Sequence, residues 1–80
     1  MFKTLNTDEH KRLISWLKEK REEQGLTMRE LAKILGTQHT LIGKVEQGER
    51  RLDVAEYVKF CNALKVSPSE GLEVLKNSDG

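Results

Sequence analysis

The segment Leu26–Gly48, LTMRELAKILGTQHTLIGKVEQG, decides the fold. Thr27 can cap a helix, and Glu30 three residues later completes a capping box, in which each side chain satisfies the other residue's backbone N–H. Leu31, Ile34 and Leu35 follow at helical spacing and predict one buried face, with Ala32 on or beside it leaving room for a neighbouring helix. Gly36 comes directly after the last apolar residue, where a left-handed backbone costs glycine almost nothing sterically. The pattern then restarts: Leu41, Ile42 and Val45 form a second apolar stripe, which Gly48 closes. Two helices this short, joined by so few residues, must cross steeply rather than lie side by side. The first turn of the second helix and the side opposite its stripe present Gln38, His39, Thr40, Gly43, Lys44 and Gln47.

Outward from this helix-turn-helix, the N-terminal side predicts one longer helix. Met1–Asn6 reads as an irregular lead-in, with Phe2 and Leu5 as its apolar residues. Asn6 or Thr7 can cap the helix, and Asp8 and Glu9 sit in the first turn, where the macrodipole favours acids. Leu13, Ile14, Trp16, Leu17 and Arg21 form its inner stripe as far as Gln24, and Gly25 ends it. Ile14 or Trp16 is expected to cover apolar surface of the C-terminal helices, and His10 to be exposed.

On the C-terminal side, Glu49–Leu52 makes a short basic connection and Asp53 can cap a fourth helix. Val54, Tyr57, Val58, Cys61 and Leu64 are spaced to form its buried side, with Cys61 as a small core residue. Ser67, Pro68, Ser69 and Glu70 suggest another capping box with proline at the first helical position. Leu72 and Leu75 are expected to anchor that fifth helix, weakened by Gly71, and residues 77–80 to fray. The fold class is therefore all-α: a single compact five-helix domain over residues 1–80, with the helix-turn-helix formed by helices 2 and 3.

Composition narrows the function. At 80 residues the chain suits one small domain, burying roughly 60 % of the surface its unfolded form exposes. A net charge of +1, with 34 % charged residues, predicts no strong overall attraction to nucleic acid; any such binding needs cations gathered on one face. A single cysteine allows no internal disulfide, and no grouping of Cys and His suggests a metal. No apolar run is long enough for a membrane span or a signal peptide, so the cytoplasm is the expected setting. No nucleophile–base pair, carboxylate dyad or phosphate-cradling loop can be drawn, so neither an enzyme nor a cofactor or small-molecule ligand is expected.

The segment resembles the helix-turn-helix of the phage repressor and Cro family, also called the xenobiotic-response-element (XRE) family. Leu31, Ala32, Leu35, Gly36, Ile42, Val45, Glu46 and Gly48 match in order and spacing. The similarity extends through KREEQGLT (Lys20–Thr27) before and VKFCNALKVSPSE (Val58–Glu70) after, while residues 1–12 lie outside it. It implies a lambda-repressor-like domain that binds double-stranded DNA and regulates transcription. It further implies a repressor acting as a homodimer on a pseudo-palindromic operator, with half-sites about 34 Å apart.

By the same resemblance, base edges are met by the first residues of the second motif helix, here Gln38, His39 and Thr40, with Gly43 and Lys44 one turn on. The chemistry fits a major groove about 12 Å wide, which admits one helix. Glutamine can pair with adenine, threonine can touch a thymine methyl, and lysine can reach guanine or a phosphate. Phosphate contacts are expected at the helix N-terminus formed by Thr27 and Met28, whose backbone N–H groups point outward, and at Arg29 and Lys33 on the outer side of that helix. Met28 replaces a glutamine common in the family and brings no side-chain donor. Gln47, Arg50 and Arg51 match the family's backbone-contacting positions. The resemblance also implies a largely buried structural ion pair between Arg21 and Glu46. It points to Lys65, Val66, Leu72 and Leu75, around the last two helices, as a dimer surface. The competing reading is a protein-interaction module of the same fold, such as an antitoxin or an anti-repressor partner, with little affinity for DNA; the near-neutral charge, Met28 and Gly43 favour it.

Overall fold

The computed structural model describes residues 8–77, so the lead-in, the Asn6 or Thr7 cap and residues 78–80 of the expected tail lie outside the described residues, while Asn77, expected to fray, is the last residue of the final helix. Five helices follow one another: α1 (Asp8–Glu23), α2 (Met28–Leu35), α3 (His39–Glu46), α4 (Val54–Ala63) and α5 (Pro68–Asn77). No strand occurs among the described residues. The boundaries follow local chemistry. The Thr27 hydroxyl accepts from Glu30 N–H at 3.0 Å while Glu30 Oε1 accepts from Thr27 N–H at 2.8 Å. Asp53 and Glu56 repeat the arrangement at the start of α4, at 2.8 and 3.0 Å. The second expected box takes another form. At α5 the Ser67 hydroxyl accepts from Ser69 N–H at 3.3 Å and shares a hydrogen bond with the Ser69 hydroxyl, while Glu70 N–H goes to the Ser67 carbonyl.

α2 and α4 end in the same hydrogen-bond pattern with different residues. After α2, Gly36 adopts φ 72°, and the N–H groups of Gly36 and Thr37 reach back to Lys33 and Ala32 carbonyls. After α4 the left-handed position belongs to Lys65, at φ 61°, with Lys65 and Val66 bonding back to Asn62 and Cys61. A side chain in that conformation costs about 1 kcal/mol that glycine does not. Lys65→Gly is therefore expected to raise stability by roughly 0.5–1 kcal/mol in urea unfolding, without moving the slope of the transition.

α1 packs along α5, α2 crosses α3, and α4 supports both α2 and α5. Leu17, Leu31, Ile42, Val45, Phe60, Cys61 and Leu64 meet at the centre with almost no exposure. Ile42 and Val45 are completely buried, so α3 is held by roughly 1.5–3 kcal/mol of apolar burial from each. Cys61 lies among them, and burial pushes its thiol above the ordinary range, as befits a small core residue.

Four apolar residues expected to be buried are not. Ile34 is 56 % exposed: α2 turns Leu31 and Ala32 inward, and the small Ala32 lets its neighbours close over that side instead. On α4 the buried arc is Tyr57, Phe60, Cys61 and Leu64, leaving Val54 80 % exposed and Val58 outside the core. On α5, Leu72 is 53 % exposed while Gly71 is buried. Gly71 faces the Trp16 ring of α1 and the Tyr57 hydroxyl of α4, and a Cβ built on it would stand 2.7 Å from Trp16 Cζ3. Trp16 thus occupies the space that a larger residue at 71 would otherwise fill.

Candidate nucleic-acid interface

The polar side of α3 is free because its apolar side is fully used. Ile42 and Val45 face the core, Leu41 is half-buried, and Gln38, Thr40 and Lys44 are exposed. Gln38 caps α3 through its extended backbone only; its side chain makes no capping bond and remains available. His39 is half-buried at the first turn. An open concavity of about 460 Å³ joins this turn to α2, lined by Arg29, Lys33, Thr37, Gln38, His39 and Thr40 with Ala32 at its floor. Arg29 and Lys33 therefore share one surface with the start of α3.

Gly43 sits on the α2–α3 seam. A Cβ placed there would lie 3.8 Å from Met28 Sδ, an ordinary contact, which brings the N-terminus of α2 beside the second turn of α3. At that N-terminus the Thr27 hydroxyl accepts from Glu30 N–H and keeps its own proton to donate. Gln47 and Arg51 are exposed beyond the far end of α3. Arg50 is engaged differently: its guanidinium donates to both Glu56 carboxylate oxygens, at 3.2 and 2.9 Å, and to the Arg51 carbonyl at 2.7 Å. The hydrogen bonds to Glu56 hold the Arg50 pKa above its ordinary value, and those from Arg50 hold the Glu56 carboxyl below its own.

Beneath the exposed face lies the ion pair. Arg21 Nε donates to Glu46 Oε2 at 2.7 Å and Nη2 to Oε1 at 3.1 Å, while Nη1 donates to the Leu26 carbonyl at 2.7 Å. The side chains are 9 % and 5 % exposed. This bidentate geometry ties the last turn of α1 to the last residue of α3, and the Glu46 hydrogen bonds hold the guanidinium pKa above its ordinary value.

His10 is a residue whose place sequence reading misjudged. It is half-buried rather than exposed, in a cleft it lines together with Gln47 and Gly48, and burial together with nearby Arg51 pulls its imidazole below its usual pKa. The folded state therefore binds this proton less readily than the unfolded chain does. The associated stability is complete above the unfolded value near 6.5 and is lost as pH falls from there toward the lower folded pKa. Thermal melts of the parent should decline over that window, and His10→Gln should remove that part of the decline. No spacing in the sequence announces this cleft, because it brings the first turn of α1 near the end of α3, some forty residues away.

Comparisons with known proteins agree with this architecture. The family described as helix-turn-helix matches residues 17–71. The chain is similar to an XRE-family-like protein from Pseudomonas syringae pv. tomato str. DC3000, with 35 % identity and a TM-score of 0.83 over 90 % of this chain and 88 % of that one. It is similar to the restriction-modification controller protein C.AhdI from Aeromonas hydrophila, with 30 % identity and a TM-score of 0.70 over 75 % and 91 % of the two chains. The clp gene regulator ClgR from C. glutamicum shares the fold, at 23 % identity and a TM-score of 0.80 over 94 % and 97 %. No curated protein is significantly similar to the chain.

Proposed function

The chain belongs to the XRE-type helix-turn-helix family, and from that premise we propose that it is a transcriptional regulator binding specific double-stranded DNA, with α3 in the major groove. The observation that carries this reading is the outward polar edge of α3: Gln38, Thr40 and Lys44 are exposed while Ile42 and Val45 on the other side are wholly buried. In this reading Gln38, His39, Thr40 and Lys44 meet base edges, and Gly43 lets the backbone approach. Phosphates are met by Thr27, by the Met28 N–H, and by Arg29, Gln47 and Arg51. Arg50 reaches a phosphate only by leaving Glu56. The face also answers the charge problem: Arg29, Lys33 and Lys44 gather cations on a chain whose net charge is only +1.

Few base contacts are available to one copy, so the protein acts as a homodimer, with exposed Lys65 and Leu72 and half-buried Val66 and Leu75 as the pairing region. With α3 occupying a promoter, repression is the expected output. The test is a salt titration against a random-sequence duplex, followed by selection from a randomised pool. Steeply salt-dependent affinity and a recovered pseudo-palindrome are expected, with half-sites about 34 Å apart. Absence of binding at low salt rejects the reading in favour of a protein-interaction module.

A further inference from the structure

The cleft between the first turns of α1 and the end of α3 shares only Gln47 with the contacts assigned above. It holds about 290 Å³ and is lined by His10, Lys11, Ser15, Glu46, Gln47 and Gly48, with Ile14 behind them. Arg51, in the α3–α4 connection, lies near enough to His10 to disfavour its protonation, and the one cationic side chain in the lining itself is Lys11. The one carboxylate in the lining, Glu46, is already matched by both of its hydrogen bonds from Arg21. Asp8 and Glu9, in the same first turn of α1, do not line the cleft. What remains is a recess edged by an ammonium group, an imidazole, a serine hydroxyl and a glutamine amide. It opens beside Gln47, at the end of the helix proposed to enter the groove.

We propose that this recess is a second anion site, which receives a phosphate of the DNA backbone through Lys11, with Gln47 and Ser15 as additional donors. The proposal rests on the DNA-binding reading and extends the footprint from the helix-turn-helix onto α1. A single protein then grips the backbone on both sides of α3: at the N-terminus of α2 on one side and at the α1 recess on the other. Two grips of this kind fix the orientation of a short helix better than one, while adding no information about sequence.

The experiment compares the parent, Lys11→Gln and Arg12→Gln in salt titrations against a random-sequence duplex, with thermal melts confirming equal folding. Lys11 and Arg12 are adjacent and exposed; both border a hollow beside Trp16 and Val74, but only Lys11 also lines the cleft next to Gln47. Each phosphate neutralised contributes about 0.9 to the slope of log affinity against log salt. Lys11→Gln is expected to lower the slope by about that amount, with Arg12→Gln matching the parent. An unchanged slope for Lys11→Gln, or an equal loss in both variants, overturns the proposal while leaving the DNA-binding reading intact. A parent that binds no duplex overturns both.

Discussion

Glu46→Ala is expected to destabilise the protein by about 3–5 kcal/mol, because it strands the Arg21 guanidinium in a site where the side chain is 9 % exposed. The Leu26 carbonyl would remain as its hydrogen-bond partner, and one neutral acceptor does not replace a carboxylate that takes two charge-assisted bonds. A domain of this size has a total stability of roughly 4–12 kcal/mol, so the loss is a large part of the whole. The melting temperature should fall by about 15–30 °C. DNA binding would be lost as a consequence of unfolding, and a variant that melts with the parent refutes the argument. The double replacement Arg21→Met with Glu46→Leu separates two quantities that the single variant mixes. It removes both charges from the low-exposure site, and the outcome is expected to lie much closer to the parent than Glu46→Ala. The large effect then belongs to the orphaned charge rather than to the pair.

Gly71→Leu is the second large effect, and its sign runs against helix propensity. Leucine should gain roughly 1 kcal/mol in the helix interior over glycine. The space is taken, however: the first carbon of any side chain at 71 meets the Tyr57 hydroxyl and stands 2.7 Å from the Trp16 ring. Tyr57 cannot easily retreat, because its hydroxyl donates to the Pro68 carbonyl at the start of the same α5. Overpacking of this kind costs about 1–3 kcal/mol, so a net loss is expected in chemical unfolding. Gly71→Ala should lose less, since one methyl asks for less displacement. In a background carrying Tyr57→Phe and Trp16→Leu, Gly71→Ala should instead stabilise, as the propensity gain emerges. Retention of the loss there would place its origin elsewhere.

These two sites also show what was legible in the sequence. Helix ends were readable where their chemistry is local: Thr27 with Glu30, Asp53 as a cap and Gly36 after α2 sit beside the turns they close, whereas the left-handed Lys65 after α4 carries no such signal. The outward edge of α3 was readable because Leu41, Ile42 and Val45 leave one side of an eight-residue helix for the polar residues. Which side of α4 and α5 turns inward was not readable, since the periodicity of Val54, Tyr57, Val58 and Cys61 overlaps that of Tyr57, Phe60 and Cys61. The neighbours decide it. Trp16 fills the space above Gly71, and with that contact made, Leu72 is left at the surface. The position of His10 and the capture of Arg50 by Glu56 were illegible for a related reason. One depends on how α1 lies across a distant loop, and the other on a local rotamer choice between a carboxylate and solvent.

Arg21 has one more partner than its ion pair requires. The same guanidinium that grips Glu46 also holds the Leu26 carbonyl, so the exit of α1, the entrance of α2 and the last residue of α3 share a single clasp. The pitch of α3 cannot be altered without loosening the corner from which α2 departs. On the function proposed above, a lineage seeking a new operator is left with exchanging side chains at 38, 39, 40 and 44 on a mount that does not tilt.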